Sequence, residues 1–122
     1  MKQTTITVYG IPNCNTVKKA IDWLNEQALA FQFHNYKKEG ITKTKLKEWS
    51  KIVGWETLLN KKGTTWRGLD AEKQAGIGSE KTAIDLMAEQ CSIIKRPVIE
   101  INGQLALVGF NEEEYKTKLI KK

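Results

Sequence analysis

A cysteine, Cys14, stands where a strand-like stretch gives way to a helix-like one. Thr5-Ile6-Thr7-Val8-Tyr9-Gly10 alternates and is β-branched, and Ile11-Pro12-Asn13 interrupts it. Val17, Ala20, Ile21 and Leu24 then recur at helical spacing. A thiol at a helix start faces unpaired backbone N–H groups and the positive end of the helix dipole. Both favour the thiolate, which is the nucleophilic form. A free cysteine can equally be a small packing residue, but the neighbours Asn13 and Asn15 are polar. The second cysteine, Cys91, ends an amphipathic pattern without a partner motif. It reads as packing, with a resolving thiol as the alternative.

The basic residues carry a second signal. Of 20 Lys and Arg residues, only Arg67 and Arg96 are arginine, in a chain of formal net charge +6. Arginine offers a rigid fork suited to carboxylates and oxyanions, whereas surface lysine is usually a solvated charge. Arg67 and Arg96 are therefore candidate anion ligands, with pairing to acidic side chains as the alternative. Asn15 and Thr16 are candidate N–H donors to the sulfur and its substrate. Asn13 and Asn15 are read first as residues that orient or cap the turn. His34 and the four tryptophans read as packing or surface residues, with Trp66 beside Arg67 the one placed to wall a pocket. Lys43, Lys45 and Lys47 read as a solvated helix face.

The elements that must position these residues follow in order. A strand is expected over roughly Thr4 to Tyr9, a helix from Asn15 to about Gln27, and an aromatic strand over Phe31 to Tyr36. One helix between two strands gives a βαβ unit with a parallel pair. Thr42 is a candidate N-cap for a helix through Leu46, Trp49, Ile52 and Val53, ended by Gly54. A short helix is expected over Trp55 to Asn60 and a loop at Lys61-Lys62-Gly63, while Thr64 to Leu69 has no clear local class. Ser79 opens another helix with Ala83, Ile84, Leu86 and Met87 as its apolar stripe. Val98 to Ile101 and Gln104 to Val108 flank Asn102-Gly103, a strong hairpin turn. Asn111 caps a last helix through Tyr115 and Leu119. Pro97 lies at the start of the third strand, and the Arg96-Pro97 bond is a candidate cis peptide.

This order is βαβ, a helical insertion, then ββα. It predicts an α/β chain of the thioredoxin-like class, one domain over residues 1–122, with a helical insertion lobe at about 41–90. The composition, 40% hydrophobic and 28% charged, is that of a soluble globular protein. No apolar run is long enough for a transmembrane helix, and the first residues lack a signal-peptide pattern. A cytoplasmic, monomeric protein is expected. Two distant cysteines and one histidine make neither a disulfide scaffold nor a zinc site. The positive charge lacks a nucleic-acid-binding motif, so no nucleic-acid partner is expected.

The segments Tyr9-Gly10-Ile11-Pro12-Asn13-Cys14-Asn15-Thr16-Val17-Lys18-Lys19-Ala20, Gly54 to Asn60, Gly63-Thr64-Thr65-Trp66-Arg67 and Ile94-Lys95-Arg96-Pro97, in this order, give the chain a clear likeness. It resembles the arsenate-reductase-like (ArsC) family of thioredoxin-fold proteins, most closely its YffB branch. The resemblance implies a reductase working through one cysteine, matched by Cys14. It implies no bound cofactor, with glutathione as co-substrate and glutathione or a glutaredoxin as thiol partner. Arg67 and Arg96 match two of the three arginines that hold the oxyanion in arsenate reductases. The region of the third reads Leu107-Val108-Gly109-Phe110 here. The likeness therefore implies a glutathione-dependent thiol/oxyanion reductase, similar to the YffB branch, acting on a small anionic or thiol substrate; the missing third arginine weighs against arsenate itself. The Spx branch, redox-linked regulators that bind RNA polymerase, is the alternative; its Cys-x-x-Cys pair is absent, since residue 17 is Val and residue 11 is Ile.

Overall fold

The computed structural model describes residues 4–120. The described residues form two compact units: 4–35 with 96–120, and 36–95. No helix among the described residues is long and apolar enough to cross a membrane.

The first unit is built on a sheet of four strands. They are β1 (Ile6–Gly10), β2 (Gln32–Asn35), β3 (Val98–Ile101) and β4 (Gln104–Val108), in the order β2-β1-β3-β4. β1 runs parallel to β2 and antiparallel to β3, and β3 and β4 form an antiparallel hairpin with a bulge at Ile99/Glu100. The hairpin turn needs left-handed backbone at both central residues. Asn102 and Gly103 supply it at φ 53° and 84°. The parallel pair is joined through helix α1 (Asn15–Glu26), as parallel strands require.

The registers Val8↔Ile99 and Ile99↔Leu107 place these residues in one row on one face of the sheet. Ile6, Val8, Ile99 and Leu107 form the core there with Ala20, Trp23 and Leu24 of α1. Tyr115, from the last helix (Glu112–Leu119, numbered below), completes that core. The Tyr115 ring meets Trp23 and Phe110 edge-on, at centroid distances of 5.6 and 4.9 Å. Its hydroxyl donates to the Gly109 carbonyl, satisfying the polar end of a buried ring. The other sheet face carries Tyr9, whose hydroxyl donates to buried Glu100 at 2.9 Å and whose ring lies 4.6 Å from that of His34.

Gly10 sets how closely α1 can meet the end of β1. A Cβ there would lie 2.8 Å from Val17 Cγ2. Valine is stiff about χ1 and cannot swing away without moving the helix start. Gly10→Ala is expected to lower stability by about 1–3 kcal/mol, read as a reduced urea midpoint at unchanged slope.

The second unit is helical. It comprises α2 (Tyr36–Glu39), α3 (Lys43–Val53), α4 (Trp55–Leu58), α5 (Thr64–Arg67), α6 (Ala71–Ala75), α7 (Glu80–Glu89) and a 3₁₀ turn (Cys91–Ile93). The segment expected as a lobe at about 41–90 lies within it. The last helix of the chain, Glu112–Leu119 in the first unit, is then α8. Leu46, Trp49, Leu58, Ile84, Met87 and Ile93 are among the side chains buried in the second unit. Ser50 of α3 donates to Glu80 of α7 at 2.7 Å, and Lys43 pairs with Asp85 at 3.0 Å. An antiparallel bridge joins Leu59 to Ile94, flanked by Asn60 N–H to Ile93 O at 2.9 Å and Lys95 N–H to Leu58 O at 2.7 Å.

Several caps follow the sequence reading. Thr42 accepts from Lys45 N–H and Asn111 from Glu114 N–H. Ser79 and Thr82 form a reciprocal capping box. Gly54 ends α3 at φ 86°. Three features differ. Tyr36, read as strand, opens α2; its carbonyl accepts from Gly40 N–H at 2.7 Å, and its side chain is buried. Thr64–Arg67 is a helical turn between Gly63 and Gly68. Ala71–Ala75 is a further helix, capped by Asp70, that the sequence reading lacked because it buries no side chain and so has no apolar stripe.

Candidate functional site

The site begins with the turn that closes β1. After Gly10, the chain passes Ile11, Pro12 and Asn13 and enters α1 with Cys14 as the N-cap residue, in extended conformation at φ −128° and ψ 122°. An N-cap side chain reaches the backbone donors two and three residues onward. Here those belong to Thr16 and Val17. Neither closes a cap hydrogen bond to the Cys14 side chain, but both N–H dipoles favour the charged form of its sulfur. Arg96 hydrogen-bonds to the sulfur and adds a positive charge. Burial alone pushes the thiol up. The Val17 N–H, the Arg96 guanidinium and the Thr16 N–H together outweigh it, so the Cys14 pKa lies below its ordinary value. The side chain is half-buried, which leaves the sulfur in reach of solvent.

This arrangement revises two expectations. Val17, not Asn15, is the second backbone donor, because the N–H of the first helical residue lies outside the reach of the N-cap side chain. Asn13 and Asn15 are not the cap; Cys14 occupies that position itself. Both asparagines are exposed and line a cleft with Cys14 instead.

Arg96 reaches the sulfur from the approach to β3. The Arg96-Pro97 peptide is cis, and the Pro97 carbonyl accepts from Gly109 N–H at 2.8 Å. Cys14, Asn15, Thr16, Asn13, Arg96 and Pro97 thus all belong to the first unit. Arg67 belongs to the second, where it is the last residue of α5 and is exposed. Its helix is anchored by Thr65 Oγ1 and Ser92 Oγ at 2.9 Å and by Gln74 Nε2 donating to the Trp66 carbonyl at 2.8 Å. Lys61 lies 5.4 Å from the Trp66 ring centroid. Cys91 is a free thiol in the second unit, and burial pushes its pKa up. It lacks the electronic signature of a reactive cysteine.

The cleft beside Cys14 has a volume of about 560 Å³. Besides the loop residues, Val17, Lys18 and Ile21 of α1 and Phe33 of β2 line it. The sequence reading assigned Val17 and Ile21 to the core stripe and passed over Lys18 and Phe33. For Val17, Lys18 and Ile21 the available signal was spacing from Cys14: positions three, four and seven onward share its helix face.

The sequence profile described as the ArsC family matches residues 9–118. The solved structure of a YffB protein is 46% identical, with a TM-score of 0.87 over 93% of this chain and 98% of that one. An arsenate reductase (ArsC) related protein from Brucella melitensis is 41% identical, with a TM-score of 0.74 over 95% of each chain. The global transcriptional regulator Spx of Streptococcus mutans is 28% identical over 93% of this chain and 82% of its own length.

Proposed function

The chain belongs to the ArsC family, whose relatives here have the thioredoxin-like fold, and on that premise we propose that it is a glutathione-linked reductase acting through Cys14. The Cys14 thiolate attacks an oxidised sulfur, forming a mixed disulfide and expelling a thiolate that takes up a proton. Glutathione, or a glutaredoxin, then attacks the mixed disulfide and regenerates Cys14. Arg96, beside the sulfur, receives the negative charge of the substrate, and Arg67 is carried as an anion ligand on the family likeness alone. Asn15 and Thr16 lie at the helix start that faces it, and Asn13 and Pro97 shape the turn and strand approach.

One observation carries this reading: a partly exposed sulfur at a helix start beside a guanidinium, with its pKa lowered. The absence of arginine from Leu107-Val108-Gly109-Phe110 favours an oxidised thiol over arsenate. Leu107 is in the core and Phe110 packs on Tyr115 instead. The expected result of incubation with oxidised glutathione is a single glutathione adduct on Cys14, located by intact-mass and peptide analysis and removed by reduced glutathione. Adduct on Cys91 alone, or a Cys14 alkylation rate that titrates near an unperturbed ~8.5, overturns the proposal. The Spx likeness supports a second reading, a regulatory binder without turnover. That reading gains if Cys14 forms no adduct and the chain co-purifies with RNA polymerase.

A further inference from the structure

We propose that the cleft beside Cys14 seats the organic arm of the sulfur substrate and selects a disulfide whose arm is an aromatic-sized apolar body bearing a carboxylate. The proposal rests on Cys14 being the nucleophile, as above, and adds what it acts on. A volume of about 560 Å³ is that of a small-molecule site and far exceeds the need of a bare oxyanion. Cys14, Lys18 and Ile21 lie on one face of α1, so the cleft runs along the helix for about two turns, roughly 10 Å. Ile21 and the Phe33 ring offer apolar walls, and the carboxamides of Asn13 and Asn15 offer polar contacts near the sulfur end.

The charge fixes the sign of the arm. Lys18 is the charged residue among the described ones lining the cleft, and no carboxylate lines it. Asp22, one turn further along α1, meets Lys18 at 4.0 Å with both side chains largely exposed, a weak pair that leaves the ammonium available. Lys18 stands about one helical turn from Cys14, so a carboxylate one ring-length from the reacting sulfur meets it. In the reaction the Cys14 thiolate attacks one sulfur of R–S–S–R. The Cys14–S–S–R bond forms with R in the cleft, the original S–S bond breaks, and R–S⁻ departs with the electron pair. The disulfide itself is the oxidant.

The test uses three disulfides on a Cys91→Ser background: dithiobis(nitrobenzoate), aromatic and anionic; dithiodipyridine, aromatic and neutral; and cystamine, aliphatic and cationic. Each second-order rate is divided by the rate with iodoacetamide at the same pH, which removes changes in thiol ionisation. Lys18→Glu is expected to lower the normalised dithiobis(nitrobenzoate) rate about tenfold and to raise that of cystamine. Lys19→Glu, which changes net charge equally from an exposed position outside the cleft, is expected to have little effect. Phe33→Ala is expected to slow both aromatic disulfides about fivefold and leave cystamine unchanged. Ile21→Gln, at a partly exposed position, gives the same reading if Phe33→Ala is unstable. Equal effects of the two lysine variants, or a uniform change across the three disulfides, overturn the inference while leaving an activated Cys14 intact. An unactivated iodoacetamide profile brings down the proposed function, and this inference with it.

Discussion

Cys14→Ser is expected to reduce thiol exchange by about a thousandfold or more without weakening the fold. The two halves of this outcome have one origin. Cys14 is the N-cap of α1, and the Thr16 and Val17 N–H groups favour its thiolate without a side-chain cap hydrogen bond. Serine is among the best N-cap residues, and its oxygen accepts from the same positions. The helix start therefore loses no cap hydrogen bond on substitution and gains a better cap acceptor. The serine hydroxyl, however, does not ionise near neutral pH, so the nucleophile is gone. The measurement is turnover with a disulfide and glutathione alongside urea unfolding at a pH below the titration seen in the wild-type alkylation profile. Loss of rate at an unchanged or higher urea midpoint is the expected pair. Cys91→Ser, by contrast, is expected to keep full turnover, since burial holds that thiol protonated. Substantial activity in Cys14→Ser would remove the basis of the proposed mechanism.

The sequence made the frame of the site legible because the relevant signals were local. Alternation marked β1, the Asn102-Gly103 pair marked the hairpin, and Thr42, Ser79 and Asn111 marked helix starts, each through its own side chain. The reach of Arg96 to Cys14 was less direct. It needs β3 beside β1, which is a long-range pairing, and was accessible mainly through likeness to a known family. What local reading missed had weak or ambiguous local signals. Ala71–Ala75 has a cap but no buried side chain. Tyr36 continues the alternation of β2, yet its side chain is buried as the first residue of α2. Asn13 and Asn15 are cap-type residues, and composition favours either as the cap. Only the backbone geometry of Cys14 assigns that place to the cysteine. The cleft wall was hidden for a related reason: Ile21 and Phe33 look like core in sequence, and burial decides that they are only partly covered.

Arg96→Ala is expected to slow iodoacetamide alkylation of Cys14 by roughly tenfold near neutral pH and to move its pH profile upward. The guanidinium contributes both a hydrogen bond and a charge to the sulfur, whereas burial acts in the opposite direction. With Arg96 gone, Val17 and Thr16 face the burial effect alone. Arg96→Lys keeps the charge without the planar fork and is expected to fall between the two. The same electrostatics must appear in stability. The folded pKa of Cys14 is lowered relative to an unfolded value near ~8.5, so within that interval the unfolded chain holds a proton that the folded chain has released. Stability therefore rises with pH across the interval, is fully present above the unfolded pKa, and is lost as pH falls through the folded one. The wild type is expected to gain in urea midpoint over this range relative to Cys14→Ser, and Arg96→Ala to gain less. An unmoved alkylation profile in Arg96→Ala would assign the ionised sulfur to the helix start alone. A wild-type stability curve parallel to that of Cys14→Ser would show that the thiolate is not favoured by folding at all.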